Sequence, residues 1–253
     1  MSSPTKKPCW LFRLTCRLAR RFYPHFQNQG TENLPDEPCI IVGNHAQTNG
    51  PVYCELYYPR PQRTWCAHQM MSLREVPAYA YADFWGEKPL YIRWLFKLIS
   101  YLIAPLAAVL FNNAHTLAVY RDKRIIGTFR ATVQALQKGE DIIIFPESPE
   151  PHNHVVYTFQ ERFVDVARLY HKRTGKALSF VPMYIAPNLQ TTCFGQAIRF
   201  DPDAPIEQER TRICRALMQS ITDLATALPE HTVIPYKNIP KKDFPSNLPS
   251  KRG

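Results

Sequence analysis

The chain has 253 residues, 45% of them apolar, with 31 Lys and Arg against 21 Asp and Glu and a net charge of +10. That length suits one large domain with a sizeable core, or one domain with appendages, and the charge points to an anionic partner: phospholipid headgroups, a phosphorylated substrate or nucleic acid. The seven cysteines are odd in number and scattered without a C-x-x-C pair, which argues against a disulfide framework or a metal site and for buried thiols in a reducing compartment.

Residues 1–30 hold Lys6, Lys7, Arg13, Arg17, Arg20 and Arg21 and no acid. Trp10 or Leu11, Leu14, Leu18 and Phe22 recur at helical spacing, with the arginines on an adjoining face. This pattern predicts an amphipathic helix lying on an anionic bilayer surface. Arginines interrupt the apolar stretch and no small-residue cleavage site follows, so the segment does not read as a signal peptide. Next, Cys39-Ile40-Ile41-Val42-Gly43 predicts a strand that ends at Asn44-His45, and the segment carrying Glu55 predicts a helix.

Leu90–Phe111 is the most apolar stretch, yet it contains Arg93, Lys97 and Pro105. Its uncharged part is shorter than the ~20 residues a spanning helix needs. The expectation is a buried or interfacial helix pair hinged near Pro105, flanked by Trp85, Tyr91, Trp94 and Tyr101 as by an interfacial belt.

Beyond it the pattern alternates. Leu117–Tyr120 predicts a strand ending in Arg121, Ile125–Lys138 a helix closed by Gly139, and Asp141–Phe145 a second strand. Phe163–Lys172 predicts a helix stopped by Gly175. Leu178–Ile185 predicts a strand whose Pro182 suggests an edge or a bulge. Glu207–Leu228 predicts a long helix with Ile213, Leu217, Ile221 and Leu224 on one face. Such alternation implies an α/β fold, a mixed sheet flanked by helices. Prolines at 235, 240, 245 and 249 predict an extended basic tail rather than a packed element. The expected division is a membrane-associating helix over 1–30, an α/β domain over 31–234 and the tail over 235–253.

Two strand ends carry polar turns: Asn44-His45 after the first strand and Phe145-Pro146-Glu147-Ser148 after another. Titratable groups at the C-terminal ends of buried strands are how α/β proteins commonly assemble a site. Together with Leu117–Arg121 and Phe180-Val181-Pro182-Met183-Tyr184-Ile185, these segments resemble, in order and spacing over residues 35–190, the glycerolipid acyltransferase superfamily typified by 1-acylglycerol-3-phosphate acyltransferases. That family's first motif reads N-H-x-x-x-x-D, where this chain has Asn44-His45-Ala46-Gln47-Thr48-Asn49-Gly50. Its third reads F-P-E-G-T-R, where this chain has Phe145-Pro146-Glu147-Ser148-Pro149-Glu150.

The resemblance implies an acyltransferase-like fold and acyl transfer from acyl-CoA or acyl carrier protein to a lysophospholipid or related alcohol. It implies no cofactor beyond that co-substrate and no metal. By match His45 is the general base, suited by an ordinary imidazole pKa near neutrality. Asn49 and Glu147 are the further catalytic candidates, and Asn44, Arg121 and Arg162 the substrate-binding ones, arginine being the residue that forks onto phosphate. The aspartate that would orient the imidazole is missing at Gly50, with Glu55 a more distant substitute, and the third motif loses its arginine. His152 and His154 are new polar groups after Glu147. Tyr157, Phe159, Met183 and Tyr184 fit an acyl channel or an ordinary core.

Two function classes therefore compete. The first is a peripheral acyltransferase at the cytoplasmic face of a membrane, with anionic phospholipid as its surface partner. The second is a catalytically impaired relative that binds lipid or a partner there. No nucleic-acid motif accompanies the charge, so nucleic acid is not an expected partner, and the oligomeric state is left open.

Overall fold

The structure is a computed structural model that describes residues 9–81 and 90–248. Lys6, Lys7, Trp85 and Pro249 lie outside the described residues. From the N-terminus, α1 (Trp10–Phe22) precedes β1 (Gln27–Gln29), β2 (Ile40–Gly43), α2 (Asn49–Tyr57) and β3 (Gln62–Ala67). Then come α3 (Val76–Ala80), α4 (Arg93–Asn113), β4 (Thr116–Val119) and α5 (Ile125–Gln137). They are followed by β5 (Asp141–Ile144), β6 (Glu147–Pro151), β7 (Tyr157–Phe159) and α6 (Asp165–Thr174). The last elements are β8 (Ser179–Ala186), β9 (Thr191–Phe194), β10 (Ile198–Arg199) and α7 (Ile206–Thr226). The chain forms two compact units that interleave in sequence: Met1–Pro24 with Trp65–Thr128, and His25–Thr64 with Phe129–Gly253.

The second unit is built on a mixed sheet in the order β1-β9-β8-β2-β5-β3, with β10 also alongside β8. Strand β2 runs parallel to β5 on one side (Ile41 opposite Ile143) and to β8 on the other (Ile41 opposite Val181). Strands β9 and β10 run antiparallel to β8. Every residue of β2 and β5 is buried. That explains why both read as unbroken apolar runs rather than alternating ones: a parallel strand covered on both faces has no polar side. Helix α7 packs on β8 through Ile213, Leu217, Ile221 and Ala225, all buried, one face of a 3.6-residue period. Helix α6 stops at Gly175, which takes the left-handed conformation (φ 72°) as a C-terminal cap does. The expected mixed sheet flanked by helices is the observed architecture.

Strand β8 is not an edge. Pro182 pairs with Val42 of β2 on one side, and on the other it faces the break between β9 and β10. There the Gly195 N–H donates to the Pro182 carbonyl (2.9 Å). The missing proline donor is tolerated because the neighbouring strand is interrupted at that point.

The first unit holds α1, α3, α4 and β4. Helix α4 corrects the expectation of a hinged pair: it is one helix of 21 residues that runs through Pro105. Proline removes one backbone hydrogen bond, and the turns on either side keep theirs. Nor is α4 a buried core helix. Only Ser100, Ala104 and Ala108 among its residues are buried, near Val76 of α3, while Trp94, Leu98, Leu102 and Leu106 are exposed. By length and composition it is long and apolar enough to cross a bilayer. The apolar stripe of α1 is exposed as well: Trp10, Leu14, Leu18 and Phe22 all face outward, and Phe12 is the residue that turns in.

As far as residue 248, the proline-rich C-terminal segment is fastened and not a free tail. Thr232 bridges Ser246, the Val233 N–H donates to the Pro245 carbonyl (2.8 Å), and Asn247 is wholly buried. Proline keeps the segment out of regular structure, but polar side chains fasten it to the second unit.

Candidate functional site

Strands β2 and β5 end side by side, and each end is locked by one polar side chain. After β2, the buried Asn44 carboxamide is engaged with the backbone of Ile185 on β8. Its Oδ1 accepts from the Ile185 N–H (2.8 Å) and its Nδ2 donates to the Ile185 carbonyl (3.0 Å). After β5, Glu147 is buried and reaches back across 102 residues of sequence to accept from the His45 backbone N–H (2.7 Å). Its second oxygen accepts from the Tyr157 N–H on β7 (2.9 Å). Burial pushes the Glu147 carboxyl up to about 7, and the two N–H groups pull it back down.

The half-buried imidazole of His45 lies edge-on to Phe145 (5.2 Å between ring centres) and to Tyr236 of the C-terminal segment (6.0 Å). Tyr236 in turn packs on Tyr157 (5.9 Å). Burial pushes the His45 pKa down to about 4, opposed by a hydrogen bond from the ring to the Gln47 backbone carbonyl. That bond comes from an unusual turn. Ala46 (φ 45°) and Gln47 (φ 55°) are consecutive left-handed residues that are not glycine, a conformation costing about 1–2 kcal/mol per residue. Such strain persists only where its surroundings enforce it. Here the Asn49 N–H and its Nδ2 both donate to the Ala46 carbonyl (3.1 and 3.0 Å), and the Gly50 N–H donates to the His45 carbonyl (3.1 Å).

Gly50, where the resemblance would place an aspartate, is closed to any side chain. A Cβ there would stand 2.5 Å from the His45 carbonyl oxygen and 3.0 Å from the Phe145 ring. The imidazole is therefore oriented by a neutral carbonyl of its own turn. Asn49 heads α2 and helps close that turn. Glu55 lies further along α2 beside Cys54, whose thiol it helps to raise.

The other candidates fall in different places. Arg121 is exposed in the first unit, just beyond β4; the neighbouring Tyr120 ring meets both His68 (4.6 Å) and the Arg124 guanidinium (4.3 Å). Arg162 is exposed two residues after Gln160, whose N–H donates to the Pro146 carbonyl (2.8 Å). His154 is hydrogen-bonded to the Asn247 carbonyl (3.0 Å), and His152 is exposed. Phe159, Met183 and Tyr184 are core, whereas Tyr157 is half-buried against Tyr236. Tyr236 escaped sequence reasoning because it stands among prolines, where nothing signals a packed residue. Among the described residues, no group of three His, Cys, Asp or Glu side chains is placed to hold a metal ion, and Cys39, Cys54, Cys193 and Cys214 are buried free thiols.

Comparison with known protein families finds no match, and comparison with curated proteins finds none either. Among solved structures, the chain is similar to the crystal structure of the 1-acyl-sn-glycerophosphate (LPA) acyltransferase PlsC from Thermotoga maritima. The identity is 15% and the TM-score 0.48, over 85% of this chain and 79% of that chain. A likeness of that degree assigns no activity, and the functional reading rests on this chain's own motifs and geometry.

Proposed function

We propose that this protein transfers a fatty acyl group from a thioester, acyl-CoA or acyl carrier protein, to the hydroxyl of a lysophospholipid or related alcohol at a membrane surface, with His45 as general base. The observation that carries the reading is the bond between two strand-end motifs: the Glu147 carboxylate fixes the backbone of His45 at the tip of β2. The ring nitrogen not bonded to Gln47 accepts the acceptor's hydroxyl proton while that oxygen attacks the thioester carbonyl. The carbon–oxygen bond forms, the carbon–sulfur bond breaks, and the proton passes to the departing thiolate. With its pKa near 4, the imidazole is neutral and able to accept a proton at pH 7, but it is a weaker base than one held near neutrality. A carbonyl in place of a carboxylate also stabilises the imidazolium less, so turnover is slower than a charged partner would allow.

Arg121 and Arg162 are the groups offered to an acceptor's phosphate. The outward stripes of α1 and α4 suit a peripheral position at the cytoplasmic face of an anionic membrane, with Arg13, Arg17, Arg20 and Arg21 exposed beside the α1 stripe. The test is thiol release from acyl-CoA and acyl carrier protein donors, with lysophosphatidic acid in liposomes, comparing the wild type with His45→Ala. Acceptor-dependent release lost in the variant supports the reading; none from the wild type across several acceptors sinks it.

One observation favours a second reading. Gly50 leaves no room for an acid, and the imidazole is held far below its ordinary pKa. A protein that kept this fold to bind lipid without turnover would show both. Saturable lysophospholipid binding without thiol release would select it.

A further inference from the structure

Tyr236 reaches His45 on a segment fastened at both ends. On one side, His231 is bonded through its ring to the Tyr184 hydroxyl of β8 (2.8 Å) and the Pro229 carbonyl (2.8 Å). On the other, Asn247 donates to the Ala225 carbonyl at the end of α7 (2.8 Å) and accepts from the His231 N–H (2.8 Å). The Val233–Pro245 bond closes the loop at its base. Tyr236 is therefore presented by a closed loop, and its ring touches two walls of the candidate site, His45 and Tyr157.

We propose that residues 231–247 form a strap over the candidate site and that Tyr236 is a positioning residue for His45, holding the imidazole against Phe145 and keeping water from it. The consequence for chemistry rests on the acyl-transfer reading. Transfer and hydrolysis break the same carbon–sulfur bond and release the same thiol; they differ in whether the lipid hydroxyl or water supplies the oxygen that joins the acyl carbon. One base serves both, so only exclusion of water from its neighbourhood favours the ester over the free acid. An aromatic ring edge-on to the base is placed to do that.

Among the described residues, the titratable groups around His45 are Glu147 on β6, Tyr157 on β7 and Tyr236 itself, and α2 brings no charged residue in its first turn. Tyr157 is held above the ordinary phenol range by burial and by Glu147, so Glu147 is the neighbour that changes charge near neutrality.

The test follows the His45 imidazole by NMR titration in the wild type, Tyr236→Ala and Tyr236→Phe, and measures ester against free fatty acid in the products. Removing the ring admits water, so Tyr236→Ala should raise the His45 pKa by about one unit or more, while Tyr236→Phe should leave it in place. The free-acid share should rise about tenfold in the Ala variant alone. If Tyr236→Ala does not fold, Tyr236→Leu takes its place, since it removes the ring and retains apolar bulk. An unshifted His45 titration in a folded ring-less variant overturns the strap. Absence of thiol release from the wild type would bring down the acyl-transfer reading and leave the titration to decide the strap by itself.

Discussion

Glu147 bonds to the main chain of His45 and not to its ring: the carboxylate accepts the His45 N–H at 2.7 Å and the Tyr157 N–H at 2.9 Å. Glu147 thus builds the platform on which the histidine stands. Glu147→Ala would leave two partly buried donors without an acceptor and should destabilise the fold by about 3 kcal/mol. Glu147→Gln keeps one acceptor oxygen and should cost about half as much. Urea denaturation of the three proteins checks the order; an alanine variant as stable as the wild type would contradict the platform role.

The two groups joined by that bond titrate in opposite senses. Glu147, raised from 4.5 to about 7 in the fold, binds its proton more tightly when folded. Its stabilising contribution is complete below pH 4.5 and is lost as pH rises through 7. His45, lowered from 6.5 to about 4, does the reverse: its contribution is present above pH 6.5 and is lost as pH falls through 4. Between pH 4.5 and 6.5 the slopes oppose each other. Stability of Glu147→Gln should therefore rise with pH across that window relative to the wild type, and that of His45→Gln should fall. Denaturation midpoints at pH 4.5, 5.5 and 6.5 decide it, and parallel profiles for both variants would refute the opposition.

Placing an aspartate at position 50 should bring no gain. On the acyltransferase resemblance alone, Gly50→Asp looks like the supply of an acid to orient His45. Its Cβ, however, would stand 2.5 Å from the His45 carbonyl oxygen, so α2 or the strained turn would have to move. Overpacking of this kind costs about 1–3 kcal/mol. The expected result is a less stable protein with no gain in thiol release, and Gly50→Ala should destabilise it comparably without adding charge. A gain in turnover from Gly50→Asp would show that the turn can relax and accept the acid.

Gly50 marks the boundary of what the residues disclosed. Its mismatch with the motif was visible, but the backbone contact that closes the position was not. Strands β2, β5 and β8 were legible because burial on both faces leaves a run of apolar residues, and α7 because its buried face repeats at helical spacing. Strands β1, β6 and β10 were not: at Gln27–Gln29, Glu147–Pro151 and Ile198–Arg199 they are short or polar, and long-range pairing rather than side-chain pattern defines them. Pro105 and Pro182 misled in the same way, since whether a proline breaks an element depends on what its missing N–H would have faced. Tyr236 could be placed beside His45 only once Asn247 and His231 were seen to fasten the segment that carries it.

The outward stripe of α1 offers a test of the membrane reading that leaves the site untouched. Leu18 and Phe22 are 50% and 81% exposed, so replacing both with glutamate removes little packing and should leave the melting temperature within a few degrees of the wild type. Burying a large apolar side chain in the bilayer interface gains about 1.5–3 kcal/mol, and each new carboxylate is repelled by anionic headgroups. The Leu18→Glu, Phe22→Glu protein should therefore bind phosphatidylglycerol-containing vesicles at least about a hundredfold more weakly, as read by co-sedimentation. Raising the salt should weaken the wild type only in part, since screening acts on Arg13, Arg17, Arg20 and Arg21 and not on the apolar stripe. Unchanged vesicle binding by the double variant would assign any membrane contact to another surface, with the exposed face of α4 carrying Trp94, Leu98 and Leu102 the next to be altered.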